Sequence, residues 1–202
     1  MQDQNSEVVV NGVAGIADLH TTFGGITFSR VGKALTVRAQ NANIRGDTAE
    51  SATVETTFGS VDLRSIRGAA HVTAGNSSIK LTTIGGDIYA KTTFAGTTIA
   101  DASGAVTVES QNGSVTVETK GGAGCKPLSL RTTFAPIRVT IPRGSGYNLS
   151  AHTTFGRIHT DPGVQIMVSG DISSDNLSGK IGAGGCDLRL NGQNSNIDIN
   201  QR

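Results

Sequence analysis

Tryptophan is absent from this 202-residue chain, aromatic residues make up 4%, and there are only two cysteines, two methionines and four prolines. A compact globular core leans on large side chains. So few rings exclude a thick interior and leave a thin one, filled by Val, Ile, Leu and an occasional Phe. Seventeen Lys and Arg stand against sixteen Asp and Glu, for a formal net charge of +1. Without a basic block or stripe, a nucleic-acid partner is not expected. No acidic tail is present, and no apolar run approaches the roughly 18 residues of a membrane span. The opening MQDQNSEVVV has neither a basic n-region nor an apolar h-region, so it is not a signal peptide. It reads as the start of a mature or trimmed chain, which leaves export of a parent protein open. Long 3.6-period apolar stripes are missing too. With 27 glycines and β-branched residues at the apolar positions, helix is not expected anywhere of significance.

What the chain does contain is a repeat. Thr21-Thr22-Phe23 returns at Thr56-Thr57-Phe58, Thr92-Thr93-Phe94, Thr132-Thr133-Phe134 and Thr153-Thr154-Phe155, and so holds five of the six phenylalanines. A small residue follows each time, then an aliphatic one: Ile26, Val61, Ile99, Ile137, Ile158. A second marker alternates with the first, at Gln40-Asn41, Gly75-Asn76, Gln111-Asn112 and Gln193-Asn194, each leading to Ile or Val. Around the markers lie short alternating stretches such as Ala34 to Arg38, which read as half-buried strands. Thr21, Ala39, Thr56, Ala74, Thr92 and Ser110 mark equivalent positions about 18 residues apart, the signature of a repeat architecture. The spacing stretches around Thr132 and Thr153, and one unit near Ser173 to Ile181 has lost its marker. Pro142 to Gly146 is the most loop-like stretch.

One unit has too few apolar side chains to bury a core alone, so equivalent units must stack. The predicted fold is all-β: a single-domain β-solenoid over residues 1–202, of about ten short rungs. A coil of about 36 residues would stack Phe on Phe. The shorter coil is preferred because Thr132 and Thr153 carry the same marker in consecutive units. Phe23 and Ile26 have opposite parity in an extended strand. If both face inward, the chain bends at Gly24-Gly25, where glycine tolerates positive φ. The expectation is an inward corner ladder of Phe23, Phe58, Phe94, Phe134 and Phe155, with Asn41, Asn76, Asn112 and Asn194 turned in at the matching places to bond corner backbone.

Chemistry-bearing residues are scattered. His20, His71, His152 and His159 read as exposed polar positions, and no zinc-site spacing supports a metal. Cys125 and Cys186, about three rungs apart in chain order, would stand roughly 14 Å apart. That exceeds the reach of a disulfide and predicts free, buried thiols. Carboxylates from Asp18 to Asp198, Asp171 among them, do not gather on one face. Gly85-Gly86-Asp87 resembles a calcium nonapeptide only once. The outward threonines Thr22, Thr57, Thr93, Thr133 and Thr154 form a row broken by Gln40, Gly75 and Gln111. No catalytic, cofactor-binding or metal-ligating residue is assigned.

The Thr-Thr-Phe-Gly-x-Ile/Val units and the Gln-Asn-x-x-Ile units lead to a close at Gly184-Gly185-Cys186-Asp187-Leu188-Arg189-Leu190 and Asn194-Ser195-Asn196-Ile197-Asp198-Ile199. Together they resemble the bacterial adhesin-like family, a β-solenoid domain of unknown function carried by exported or membrane-anchored proteins. The resemblance runs from about Val8 to Ile199 and departs from the simple pattern between Gly121 and Gly163. It implies export to the cell surface or periplasm and offers no catalytic residues. The functional expectation is a non-enzymatic, cofactor-free structural or binding module of the cell envelope. Its partner would be a glycan, an envelope polymer or a protein, with Pro142 to Tyr147 as the candidate binding loop. Two alternatives stand beside it. One is a β-helical carbohydrate-binding or carbohydrate-active protein. The other is a scaffold that self-associates end to end through the C-terminal strand Asn196 to Asn200, because open strand edges invite pairing.

Overall fold

Alternating side chains leave each strand with one buried and one wet face, and Leu128–Thr132 and Tyr147–Thr153 show it as strict buried–exposed alternation. The computed structural model describes residues 2–3, 5, 7–121, 124–169 and 173–202, the side chains of 2–3 excepted. Asp171, named above, and Gly122 and Ala123, within the stretch from Gly121 to Gly163, lie outside the described residues. Among those described no helix forms, and none is therefore long and apolar enough to cross a membrane. The strands are β1 (Gln2–Asp3), β2 (Val8–Val13), β3 (Ala17–Ile66), β4 (Ala70–Ile84), β5 (Ile88–Thr92), β6 (Thr97–Ala102), β7 (Val106–Ser110) and β8 (Val115–Thr119). They continue with β9 (Leu128–Thr132), β10 (Ile137–Ile141), β11 (Tyr147–Thr153), β12 (Ile158–Thr160), β13 (Ile166–Val168), β14 (Asn176–Ile181), β15 (Cys186–Gly192) and β16 (Ile197–Gln201). All belong to one 16-stranded sheet, wound into a solenoid.

Each coil has an entry strand, the Thr-Thr-Phe or Asn corner, and an exit strand. Parallel partners are eighteen residues apart in most of the stack, as in Val8↔Ile26, Ala52↔Ala70, Ile88↔Val106 and Thr97↔Val115. The shorter coil is the observed one. Between β7 and β9, and between β8 and β10, the offset grows to twenty-two, because β9 begins only at Leu128, after β8 has ended at Thr119. The interior is a pair of ladders. Val8, Ile26, Ile44, Val61, Ile79, Thr97, Val115, Ile137 and Ile197 form the exit ladder, none more than 1% exposed. Leu19, Val37, Val54, Val72, Ala90, Val108, Leu130, Leu190 and Ala151 face them from the entry side, all buried. In five successive coils the chain turns back at the far corner through one left-handed residue: Arg30, Thr48, Ser65, Thr83 and Asp101, with φ of 54°, 63°, 55°, 58° and 55°.

Chain order and spatial order part company after β10. Pro142 to Gly146 carries the chain past the next level and into β11. The level it skips is filled later, by the C-terminal coil. β15 lies between β9 and β11, with Leu128↔Leu188 and Leu149↔Leu188 in register. β16 lies between β10 and β12, with Ile137↔Ile197 and Ile158↔Ile197. The hairpin β13–β14 runs antiparallel on β11 and covers the end of the entry face.

Three expectations are corrected by this order. The segment Ser173 to Ile181 is not a coil without its marker, because its strand β14 runs antiparallel. Asn196 to Asn200 is not an open edge, since both its sides are paired; among the described residues this end of the stack closes on β12 and β13 instead, and the other end on β1 and β2. Cys125 and Cys186 are not free thiols but a disulfide with Cα atoms 5.7 Å apart. Counting coils in chain order put them three rungs apart. The inserted coil makes β9 and β15 neighbours, which brings the two cysteines within bonding reach.

Candidate functional site

At the corner the first threonine points in and the phenylalanine points out. Thr21, Thr56, Thr92, Thr132 and Thr153 are at most 7% exposed, whereas Phe23, Phe58, Phe94, Phe134 and Phe155 are 51, 48, 63, 60 and 79% exposed. The expected inward rings are thus overturned, and Asn41, Asn76, Asn112 and Asn194 are exposed as well. The parity argument assumed a bend two residues long. In the first coil the two inward residues flanking the bend are Thr21 and Ile26, so residues 22–25 all turn outside it. Gly24 and Gly59, with φ of 110° and 119°, supply the left-handed step in two of the coils.

The buried hydroxyls hold this corner in shape. Thr21 and Thr56 donate to the carbonyls of Phe23 and Phe58, at 2.8 and 3.2 Å. Thr92 reaches across coils to the carbonyls of Gly75 and Ser77, and Thr153 donates to Ser195 O at 2.7 Å. The coils between carry Ala39, Ala74, Ser110 and Gly192 at this inward place, in register where the strands pair: Thr56↔Ala74, Thr92↔Ser110, Gly192↔Thr132 and Thr153↔Gly192.

The insertion of the C-terminal coil sets the outward order. Along the edge stand Phe23, Asn41, Phe58, Asn76, Phe94, Asn112, Phe134, Asn194 and Phe155, an unbroken alternation. Beside it runs a second row: Thr22, Gln40, Thr57, Gly75, Thr93, Gln111, Thr133, Gln193 and Thr154. None of these residues, nor the residue that follows each Phe or Asn, carries a charge. Two shallow depressions flank the row. One, of ≈340 Å³, is lined by Thr22, Gln40 and Thr57 among others, and the other, of ≈280 Å³, by Thr93, Gln111 and Thr133. The threonine row was legible in the sequence; the aromatic row beside it was missed because the rings had been placed inside.

Elsewhere the polar groups are engaged with one another. All four histidines are exposed, and His71 stacks on Tyr89 from the next coil with ring centroids 4.6 Å apart. Arg38 lies 3.7 Å from both Asp18 and Glu55, Lys91 pairs with Glu109, and Arg138 with Asp198. A depression of ≈520 Å³ over Phe28 and Gly46 is rimmed by Arg64 and Asp62, which bond each other through two contacts of 3.0 and 3.2 Å. Asp87 of the Gly-Gly-Asp stretch accepts a backbone bond from Ala105, a turn-holding role. The Pro142 to Tyr147 segment borders a cavity of ≈270 Å³ with Thr119, Lys120 and Lys126. Its Tyr147 is 2% exposed and begins β11. Burial pushes the Tyr147 hydroxyl above its ordinary pKa, against hydrogen bonds at Lys126 and Thr119. Among the described residues no three His, Cys, Asp or Glu side chains could share a metal ion. Comparison with protein-family models, curated proteins and solved structures gives no match for this chain.

Proposed function

We propose that this chain is a non-enzymatic, adhesin-like binding module of the bacterial cell envelope, presenting its Thr-Thr-Phe corner to an extended partner. The observation that carries the reading is the row of five phenylalanines, each about half exposed or more. Burying a ring of this size is worth roughly 1.5–3 kcal/mol, so five rings left half or more in water hold back apolar surface that a partner could cover. Exposed apolar residues gathered in a row, rather than scattered singly, mark an interaction surface. The Cys125–Cys186 disulfide favours an exported protein, because such bonds persist outside the reducing cytosol. The ion pairing of the carboxylates supports a solvated mixed-charge surface over an acidic catalytic centre. The test is binding of the purified chain to an array of glycans, cell-wall polymers and envelope proteins. Retention of one class is the expected outcome; retention of none would end the reading.

A second reading rests on the strand end. Among the described residues β13 pairs only with β14, and its Met167 and Val168 are 64 and 40% exposed. Self-association would use this end of the rod, not the C-terminal strand. A sedimentation series that shows dimers lost in Met167→Lys would support it, and a monomer at all concentrations would remove it.

A further inference from the structure

Resting on that reading, we infer that the corner takes a neutral, extended β-1,4-linked polysaccharide, one disaccharide for every two coils. The spacing argues first. Coils stack about 4.8 Å apart, so successive rings on this edge stand about 10 Å apart, and the whole row spans roughly 40 Å. In an extended β-1,4-linked chain each sugar is flipped relative to the last. The same apolar C–H face therefore returns once per disaccharide, at a repeat close to this ring spacing. A coiled α-linked glucan does not hold such a straight line.

The chemistry argues second. Sugar-binding surfaces need an apolar platform with a few placed polar groups to fix orientation. Here each Phe but the last, Phe155, is followed one coil later by an Asn, and the parallel row supplies Thr hydroxyls and the Gln40, Gln111 and Gln193 amides. An amide both donates and accepts, which suits sugar hydroxyls. The absence of charge from both rows argues third. A phosphate or carboxylate polymer would find no cation on this edge, although Arg38, Lys91 and Arg131 lie on the flank. A protein strand is also a poor fit, because the coil backbone here already bonds coil to coil, as in Thr93 N to Gly75 O and Asn112 N to Thr93 O.

The experiment titrates the full chain with soluble β-1,4-linked oligomers of glucose and of N-acetylglucosamine of increasing length. Affinity is expected to climb with each added disaccharide until the row is covered. Phe58→Ala and Phe94→Ala are each expected to lower it roughly three- to tenfold, with the cooperative unfolding transition retained because about half or more of each ring is exposed. Four outcomes overturn the inference. If the polymer binds and both variants bind equally well, the site lies elsewhere and only the module reading stands. If anionic polymers or an envelope protein are preferred, the ligand class is wrong. If the variants turn a dimer into a monomer, the edge is a contact between copies. If the native chain binds nothing on the full array, the inference and the module reading fall together.

Discussion

The disulfide tests the order of the coils directly. If coils stacked in chain order, Cys125 and Cys186 would stay apart, and denatured protein would titrate two thiols. With the C-terminal coil inserted between β9 and β11, it should titrate none before reduction. The bond closes a span of 61 residues, for which loop-closure entropy predicts a contribution of about 4 kcal/mol at room temperature. The closed span holds β9 to β14 with the loops between them, so the bond limits how far the C-terminal coil can leave its slot. We expect the Cys125→Ser, Cys186→Ser double variant to lose about 2–4 kcal/mol in urea unfolding. The loss should be local, because a solenoid transmits stability between neighbouring coils. Hydrogen exchange should quicken in β15 and β16, and in β11 and β12 beyond them, while β3 and β4 keep their protection. Two free thiols in the unreduced protein would refute the coil order. A loss below about 1 kcal/mol with unchanged exchange in β15 and β16 would refute the clasp role assigned to the bond.

Three further substitutions probe the interior and the far corner. A Cβ on Gly46 would lie 1.8 Å from two ring atoms of Phe28, so Gly46→Ala should cost about 1–3 kcal/mol or more of overpacking; adding Phe28→Leu should recover part of it, and no shift in the urea midpoint would mean the ring is not over this glycine. Thr83 is β-branched at φ 58°, where L-residues pay roughly 1–2 kcal/mol and Asn is tolerated, so Thr83→Asn should raise the melting temperature; a fall would show that the threonine is held there by contacts worth more than the strain. The Ser77 hydroxyl is fully buried with no hydrogen-bond partner, and Ala42 occupies the equivalent place two coils away, so Ser77→Ala should stabilise by about 1 kcal/mol, measured by urea unfolding, and a loss of that size would reveal a partner for the hydroxyl.

The period, the strands and the inward aliphatic ladder were legible because they follow from rules that act on each coil separately: side-chain alternation and the inability of one unit to bury a core. What was not legible depends on the length of a bend and on long-range order. Hydrophobicity assigned Phe23 to the interior and left Thr21 unassigned. The reverse holds because Thr21 finds a carbonyl acceptor inside the corner, so its burial costs little, while the ring would have to displace the Ile26 ladder. Cys125 was misread for a different reason. Its partner's level was set by a coil that the chain adds only after passing it.

Yet the order of the markers held the information that chain-order counting discarded. Thr-Thr-Phe units and Asn units alternate without exception until Thr132 and Thr153 follow one another, and Gln193-Asn194 then arrives alone. Alternation here is a packing requirement. Each buried threonine of the later coils bonds a carbonyl in the coil beneath it, as Thr132 does at Gly113 O and Thr153 at Ser195 O, and that reach needs a small inward residue below. Gly192 provides it: a Cβ there would come within 3.1 Å of the Thr153 hydroxyl and 2.3 Å of Ser195 Oγ. Stacking Thr153 directly on Thr132 would put hydroxyl and methyl where that space is needed. The one arrangement that restores alternation places the Gln193-Asn194 coil between them, which also joins the cysteines and completes the outward Phe–Asn row. Packing inside the corner and chemistry outside it are therefore set by the same two-coil repeat, so the spacing of the exposed rings follows from where a threonine can be buried.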